Sequence, residues 1–166
     1  FFLCLPRLFM IPELGHVGLI LALQLALAQS FFGLRGASSL HVGRMAAARG
    51  AAVGQFLFVA GGFCALAWSF YSNDFSVLNV AEHSSRHLPA AYRITATWGS
   101  HEGSILLWSL ILAGWTFIVS RCFRADDDTL AAGVLGVMGL VSSGLLAFIL
   151  FTSNPFQRRD PPPPDG

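Results

Sequence analysis

The sequence has no lysine at all. Its ten basic residues are all arginine, its acidic residues number nine, and charged side chains make up only 11% of the 166 positions. Water-soluble domains carry about 25% charged residues. Together with a hydrophobic fraction of 54% and a mean hydropathy of +0.62, this scarcity argues against a soluble domain and for an integral membrane protein. The net charge is +1 and the arginines are scattered, so there is no basic patch for nucleic acid. Cysteine is also scarce. Cys4, Cys64 and Cys122 are far apart and odd in number, which suggests neither a disulfide framework nor a metal cluster. Without a Cys-x-x-Cys-His segment, the chain is not itself a c-type cytochrome. It also has no glycine-rich phosphate loop, nucleophile elbow or Cys–His couple, and so no ordinary soluble catalytic site.

The apolar residues that dominate the chain fall into four runs, and an all-α integral membrane fold with four transmembrane helices is expected. Residues 1–9 precede Met10 and read as an upstream extension, too short in apolar residues for a signal peptide. Pro12 and Glu13 suit a first helical turn, and an apolar run extends over about 12–33, close to the ~20 residues that span a bilayer. A short polar connection at 34–50 with Arg35, His41, Arg44 and Arg49 leads to a second span at about 51–71. Its end, Trp68 and Tyr71, suits a membrane interface. Residues 72–101 form the longest polar stretch, expected as a surface loop with a short helix lying on the membrane. A third span covers about 103–120. Asp126, Asp127, Asp128 and Thr129 supply the acids that open a fourth at about 130–152. Gly133, Gly136, Gly139 and Ser143 share neighbouring positions there and would admit another backbone closely. Asn154-Pro155 ends that helix, and the proline-rich residues 157–166 are expected to leave the membrane extended. The chain reads as a piece of a longer protein.

Two polar stripes stand out against this apolar background. Glu13, His16, Ile20 and Gln24 recur at three- and four-residue steps on the first helix. There His16 reads as paired and interfacial, and Gln24 as facing other helices. The second stripe begins in Trp98-Gly99-Ser100-His101-Glu102-Gly103-Ser104-Ile105-Leu106-Leu107-Trp108. With Ser100 as N-cap, Glu102 falls in the first turn, where the helix dipole favours a carboxylate. His101, Ser104, Trp108, Ile111 and Trp115 then share one face, placing an imidazole above two indoles. Such a face can hold a flat aromatic ligand or pack on neighbouring helices. A zinc-protease reading of His101-Glu102 fails because Ile105 stands where the second histidine is needed. His83 and His87, four apart in a polar loop, read as solvated. With Arg7 set aside, arginine counting gives five in the two short connections against four on the other side, a narrow excess that favours the Trp98–Trp108 motif outside.

The Trp98–Trp108 segment resembles the CcmF family, the membrane haem lyase subunit of cytochrome c maturation, with its related nitrite reductase assembly branch. Supporting segments are Met10–Gly15, Asn73–Val77, Leu88-Pro89, Ala91–Thr97, Gly114–Phe117 and Phe148–Phe156, so that the resemblance runs over residues 10–156 as an N-terminal fragment. It implies a bacterial inner-membrane protein with the Trp98–Trp108 motif facing the periplasm. The implied work is to accept haem b from a haem chaperone and, with apocytochrome c and other maturation subunits, to attach it to Cys-x-x-Cys-His thiols. The family's haem-ligating histidines and Trp-rich motif belong to segments beyond this one. None of His16, His41, His83, His87 and His101 is therefore assigned as a haem ligand, no catalytic residue or metal site is assigned, and the fragment alone is expected to be inactive. Trp98, His101, Glu102 and Trp108 match the family motif and are the candidate haem or partner surface. Membrane lipid is an expected partner and nucleic acid is not. The alternatives are a transporter segment, with the stripes Glu13/His16/Gln24 and His101/Ser104 lining a path, and a scaffold docking partner subunits through the 72–100 loop.

Overall fold

A computed structural model describes residues 10–39, 42–122 and 128–161. Among them six helices occur in the order α1 (Ile11–Ser39), α2 (Val42–Tyr71), α3 (Leu78–His83), α4 (Ala90–Ala96), α5 (His101–Cys122) and α6 (Asp128–Phe151). Four of these, α1, α2, α5 and α6, are long and apolar enough to cross a membrane, as expected.

The expected polar connection at 34–50 is instead almost wholly helical. Residues 34–39 prolong α1 and 42–50 open α2. The local reasons are the helix-forming run Ala46-Ala47-Ala48 and the close fit of Gly36 against Met45, where a Cβ on the glycine would stand 3.1 Å from the Met45 amide nitrogen. His41, Asp126 and Asp127, like the extension 1–9 and the end of the proline run at 162–166, lie outside the described residues.

Packing of the long helices follows their small residues. α1 packs against α2 and α6, α5 packs against the same two, and α1 and α5 share no extensive contact. The seam between α1 and α6 brings two backbones together. A Cβ on Gly33 would lie 2.7 Å from the Ala132 carbonyl and from Gly136, and one on Gly139 would lie 2.8 Å from the Ser30 nitrogen. In lipid no hydrophobic drive holds helices together, so close van der Waals contact of this kind carries the association. Gln29 is fully buried and adds a cross-helix hydrogen bond from its Nε2 to the Leu135 carbonyl, 2.6 Å away. Two buried hydroxyls are satisfied within their own helices: Thr116 donates to Leu112 at 2.8 Å and Ser143 to Gly139 at 2.8 Å.

The 72–100 stretch divides in two. Its first half is not surface. Phe75, Val77, Val80 and Ala81 are buried and join the core cluster of Leu19, Val59, Leu66, Phe70, Leu106 and Ile149. Apolar side chains hidden among polar neighbours close one end of the bundle there. The second half holds α4, which buries none of its residues. The start of the tail folds back rather than leaving. Leu78 donates its amide to Gln157 at 2.8 Å and Arg159 donates to Ser76 at 2.9 Å, pairing Val77 with Arg158 antiparallel. Phe156 is buried against α1, its ring in the space a Cβ on Gly15 would need.

Candidate functional site

The head of α5 is built from two interlocked turns. Thr97, Trp98 and Gly99 donate amides back to Ile94, Thr95 and Ala96, closing tight turns after α4. The Ser100 hydroxyl then accepts the Gly103 amide at 3.0 Å, and the Ser100 carbonyl accepts Ser104 at 2.9 Å, so Ser100 is the N-cap that the sequence predicts. Gly103 makes the junction possible. A Cβ there would stand 1.7 Å from the Thr97 carbonyl oxygen, and Thr97 itself is fully buried. The first turn of α5 is thereby pressed against the turn before it, which fixes where His101 and Glu102 leave the backbone.

From this base α5 turns one face inward. Leu106, Ser109, Ala113, Thr116 and Ser120 are buried. The opposite face is the stripe singled out in the sequence: Trp108 is 64% exposed, Ile111 44% and Trp115 60%, with His101 exposed above them and Ser104 partly so. Trp98 is 42% exposed beside the helix start, and Glu102 is half-buried in the first turn. Packing on the described neighbours does not occupy this stripe. It is an open convex surface that offers two indole faces and an imidazole, about 10 Å apart along the axis from His101 to Trp108. A convex surface can lie along a flat ligand but does not enclose one. Among the described residues there is also no group of three or more His, Cys, Asp or Glu side chains close enough to hold a metal ion. The stripe is thus a contact surface and not an enclosing pocket.

The α1 stripe also points outward. Glu13 and Ile20 are exposed, His16 is half-buried with its Nδ1 unpartnered, and Gln24 is exposed where inward packing was expected. Gln29, five residues on and about 140° further round the helix, is the glutamine that enters the bundle. Since both polar stripes face away from the four described long helices, they line no common path between them. His83 directs its Nδ1 to the Asn79 carbonyl at 3.1 Å on an exposed turn, and His87 is exposed nearby.

Sequence reasoning missed a second polar cluster. Arg158 donates from Nε to Glu13 at 2.9 Å and from a terminal nitrogen to the same carboxylate. Its other terminal nitrogen bonds the Ser76 hydroxyl and stands 3.7 Å from Asp74. One guanidinium therefore ties together the start of α1, the loop after α2 and the tail after α6. The only sequence signal was an arginine beyond a helix-ending Asn154-Pro155, and that says nothing about a partner 145 residues away.

With this geometry in place, comparison with known proteins is decisive. The cytochrome c-type biogenesis protein CcmF of Pseudomonas aeruginosa is 53% identical over 158 residues, 95% of this chain and 24% of its own length. CcmF of Escherichia coli is 47% identical over 92% of this chain and 24% of its own. The chain belongs to the CcmF family. A solved structure of the cytochrome c haem lyase CcmF superposes with a TM-score of 0.83 at 28% identity, over 89% of this chain and 25% of that one. No family model matches the sequence. The chain spans about a quarter of the length of the CcmF relatives it matches. Four apolar helices and bacterial CcmF relatives fit a multi-pass bacterial membrane protein.

Proposed function

We propose that the chain serves as the N-terminal membrane region of a CcmF-type subunit in c-type cytochrome biogenesis, seated in the bacterial inner membrane with Trp98–Trp108 on the periplasmic side. The observation that carries this reading is the exposed face of α5, where Trp98, His101, Trp108 and Trp115 project from a backbone locked by Gly103 against Thr97. In the whole subunit this face lies along haem b, or along the maturation partner that presents it, while haem passes from its chaperone to apocytochrome c. Bound haem would supply the vinyl groups that become linked to the cytochrome thiols. The residues of this chain orient and shield it, with Glu102 fixed at the start of α5 by the helix dipole, and its iron is held elsewhere in the subunit.

A direct test replaces the matching quarter of E. coli CcmF with this chain and measures covalently bound haem in a reporter c-type cytochrome. The chimera is expected to support maturation. Trp98→Ala and His101→Ala are each expected to lower it while the protein remains in the membrane. Retained partner pull-down with lost cytochrome places the face in haem contact, and loss of both places it in partner docking. Unchanged cytochrome yield in both variants, or a chimera without activity, would sink the reading. The isolated chain is expected to purify without stoichiometric haem, as read from its Soret absorbance.

A further inference from the structure

A lateral groove of about 370 Å³ opens at the end of α2, lined by Cys64, Ala67, Trp68, Tyr71 and, from α4, Ile94. Cys64, Trp68 and Tyr71 follow one another at helical spacing and are all exposed, so the groove lies on the outer surface of a membrane-crossing helix and not inside the bundle. From Tyr71 to Cys64 it descends about 10 Å along α2, from the interfacial end toward the bilayer interior. Its lining is almost wholly apolar, and its size falls in the range of small-ligand sites. The Trp68 and Tyr71 rings, 5.8 Å apart, flank the upper part.

A cation stands at the rim. The Arg93 guanidinium lies 5.7 Å from the Tyr71 ring centroid and donates from Nη1 to the Tyr71 carbonyl at 3.0 Å. Its Nε is buried with no hydrogen-bond partner, and among the described residues no carboxylate pairs with it. α4, which carries Arg93, has no fully buried residue and leaves Tyr92 65% and Ile94 41% exposed.

We infer that this groove is a binding site for an anionic phospholipid, one acyl chain lying between Cys64, Trp68 and Ile94 and the phosphate meeting Arg93. Charge complementarity and position select this occupant. An apolar trough on the lateral face of these helices matches an acyl chain, and a guanidinium with no described carboxylate partner beside Trp68 and Tyr71 matches a phosphate, which guanidinium recognises well. The lipid would fasten α4 to the end of α2 and so steady the turn that leads into Trp98.

The test uses the 166-residue chain purified in mild detergent, offered equimolar phosphatidylglycerol and phosphatidylcholine with identical acyl chains, and weighed by native mass spectrometry. Phosphatidylglycerol is expected to be retained about fivefold over phosphatidylcholine. Arg93→Gln is expected to equalise the two, and Ala67→Phe, which fills the trough and keeps the Arg93 charge, to lose both at unchanged helicity. Equal retention by the unaltered chain, a preference that survives Arg93→Gln, or retention that survives Ala67→Phe would each overturn the proposal. Retention of neither lipid would overturn it in favour of a protein helix as occupant.

Discussion

At Gly103 a single missing methyl group decides the geometry of the site. The Cβ of any other residue would sit 1.7 Å from the Thr97 carbonyl oxygen. That obstacle is backbone within a closed turn and cannot rotate away. Gly103→Ala is therefore expected to destabilise the detergent-purified chain at or above the upper end of the ~1–3 kcal/mol typical of overpacking, and to speed tryptic cleavage at Arg86 and Arg93. Gly99→Ala, four residues earlier, is a matched control. Its Cβ would meet Ala96 at an ordinary 3.6 Å, and a change within about 0.5 kcal/mol is expected. If the two substitutions have equal effects on the thermal midpoint, the interlocked turns do not set the head of α5. This part of the site was half legible in the sequence. Ser100 as cap and Glu102 in the first turn follow from local chemistry. Gly103 carried a faint signal, because glycine is a poor helix former in a first turn, but its reason is a contact with a carbonyl six residues back that exists only once the turn has closed.

Between elements, the seam of α1 with α6 shows what periodicity can and cannot reveal. Gly133, Gly136 and Gly139 announce a face open to close approach. Their partners on α1, Ala37 for Gly133, Gly33 and Leu34 for Gly136, and Ser30 and Ala26 for Gly139, do not announce themselves, because the register of two helices is set by shape and not by residue type. Gln24 misled for a related reason. A polar residue in a span is expected to turn inward, yet here Gln29 makes the inward bond to Leu135 and Gln24 faces out, a surface that the rest of a CcmF chain is free to cover. Gly139→Leu would drive a side chain into the Ser30 amide and the Ala26 carbonyl, at 2.8 and 2.9 Å from its Cβ. It is expected to separate α1 from α6 and to cost about 3 kcal/mol or more, since neither backbone can yield. Gly144→Leu lies five residues along the same helix with nothing within 4 Å of its Cβ, and should leave stability nearly unchanged. Comparing the two by loss of helical ellipticity in increasing SDS separates a packing seam from a general dislike of leucine in α6.

Across the whole molecule, Arg158 joins three segments that are distant in sequence, and the magnitudes determine what that junction can do. Glu13 is 54% exposed and Arg158 30%, so each ion pair is screened and worth about 0–1 kcal/mol. That is less than the helix seams contribute. The clamp therefore does not hold the four helices together. Its effect is local, keeping residues 156–159 on Ser76–Leu78 and so keeping Phe75 and Val77 over the end of the bundle. Arg158→Gln is expected to lower global stability by about 1 kcal/mol at most, while hydrogen exchange accelerates at the Leu78 and Arg159 amides, whose partners are Gln157 and Ser76. High salt should produce part of the same acceleration in the unaltered chain and little in the variant. In a double-mutant cycle with Glu13→Gln, the coupling energy should be no more than about 1 kcal/mol at low salt and shrink as salt is added. A large, salt-insensitive coupling would show that the junction is buried more deeply than its exposure indicates. Unchanged exchange at both amides would show that the tail is held by Phe156 against Gly15 instead, with the arginine merely resting on top.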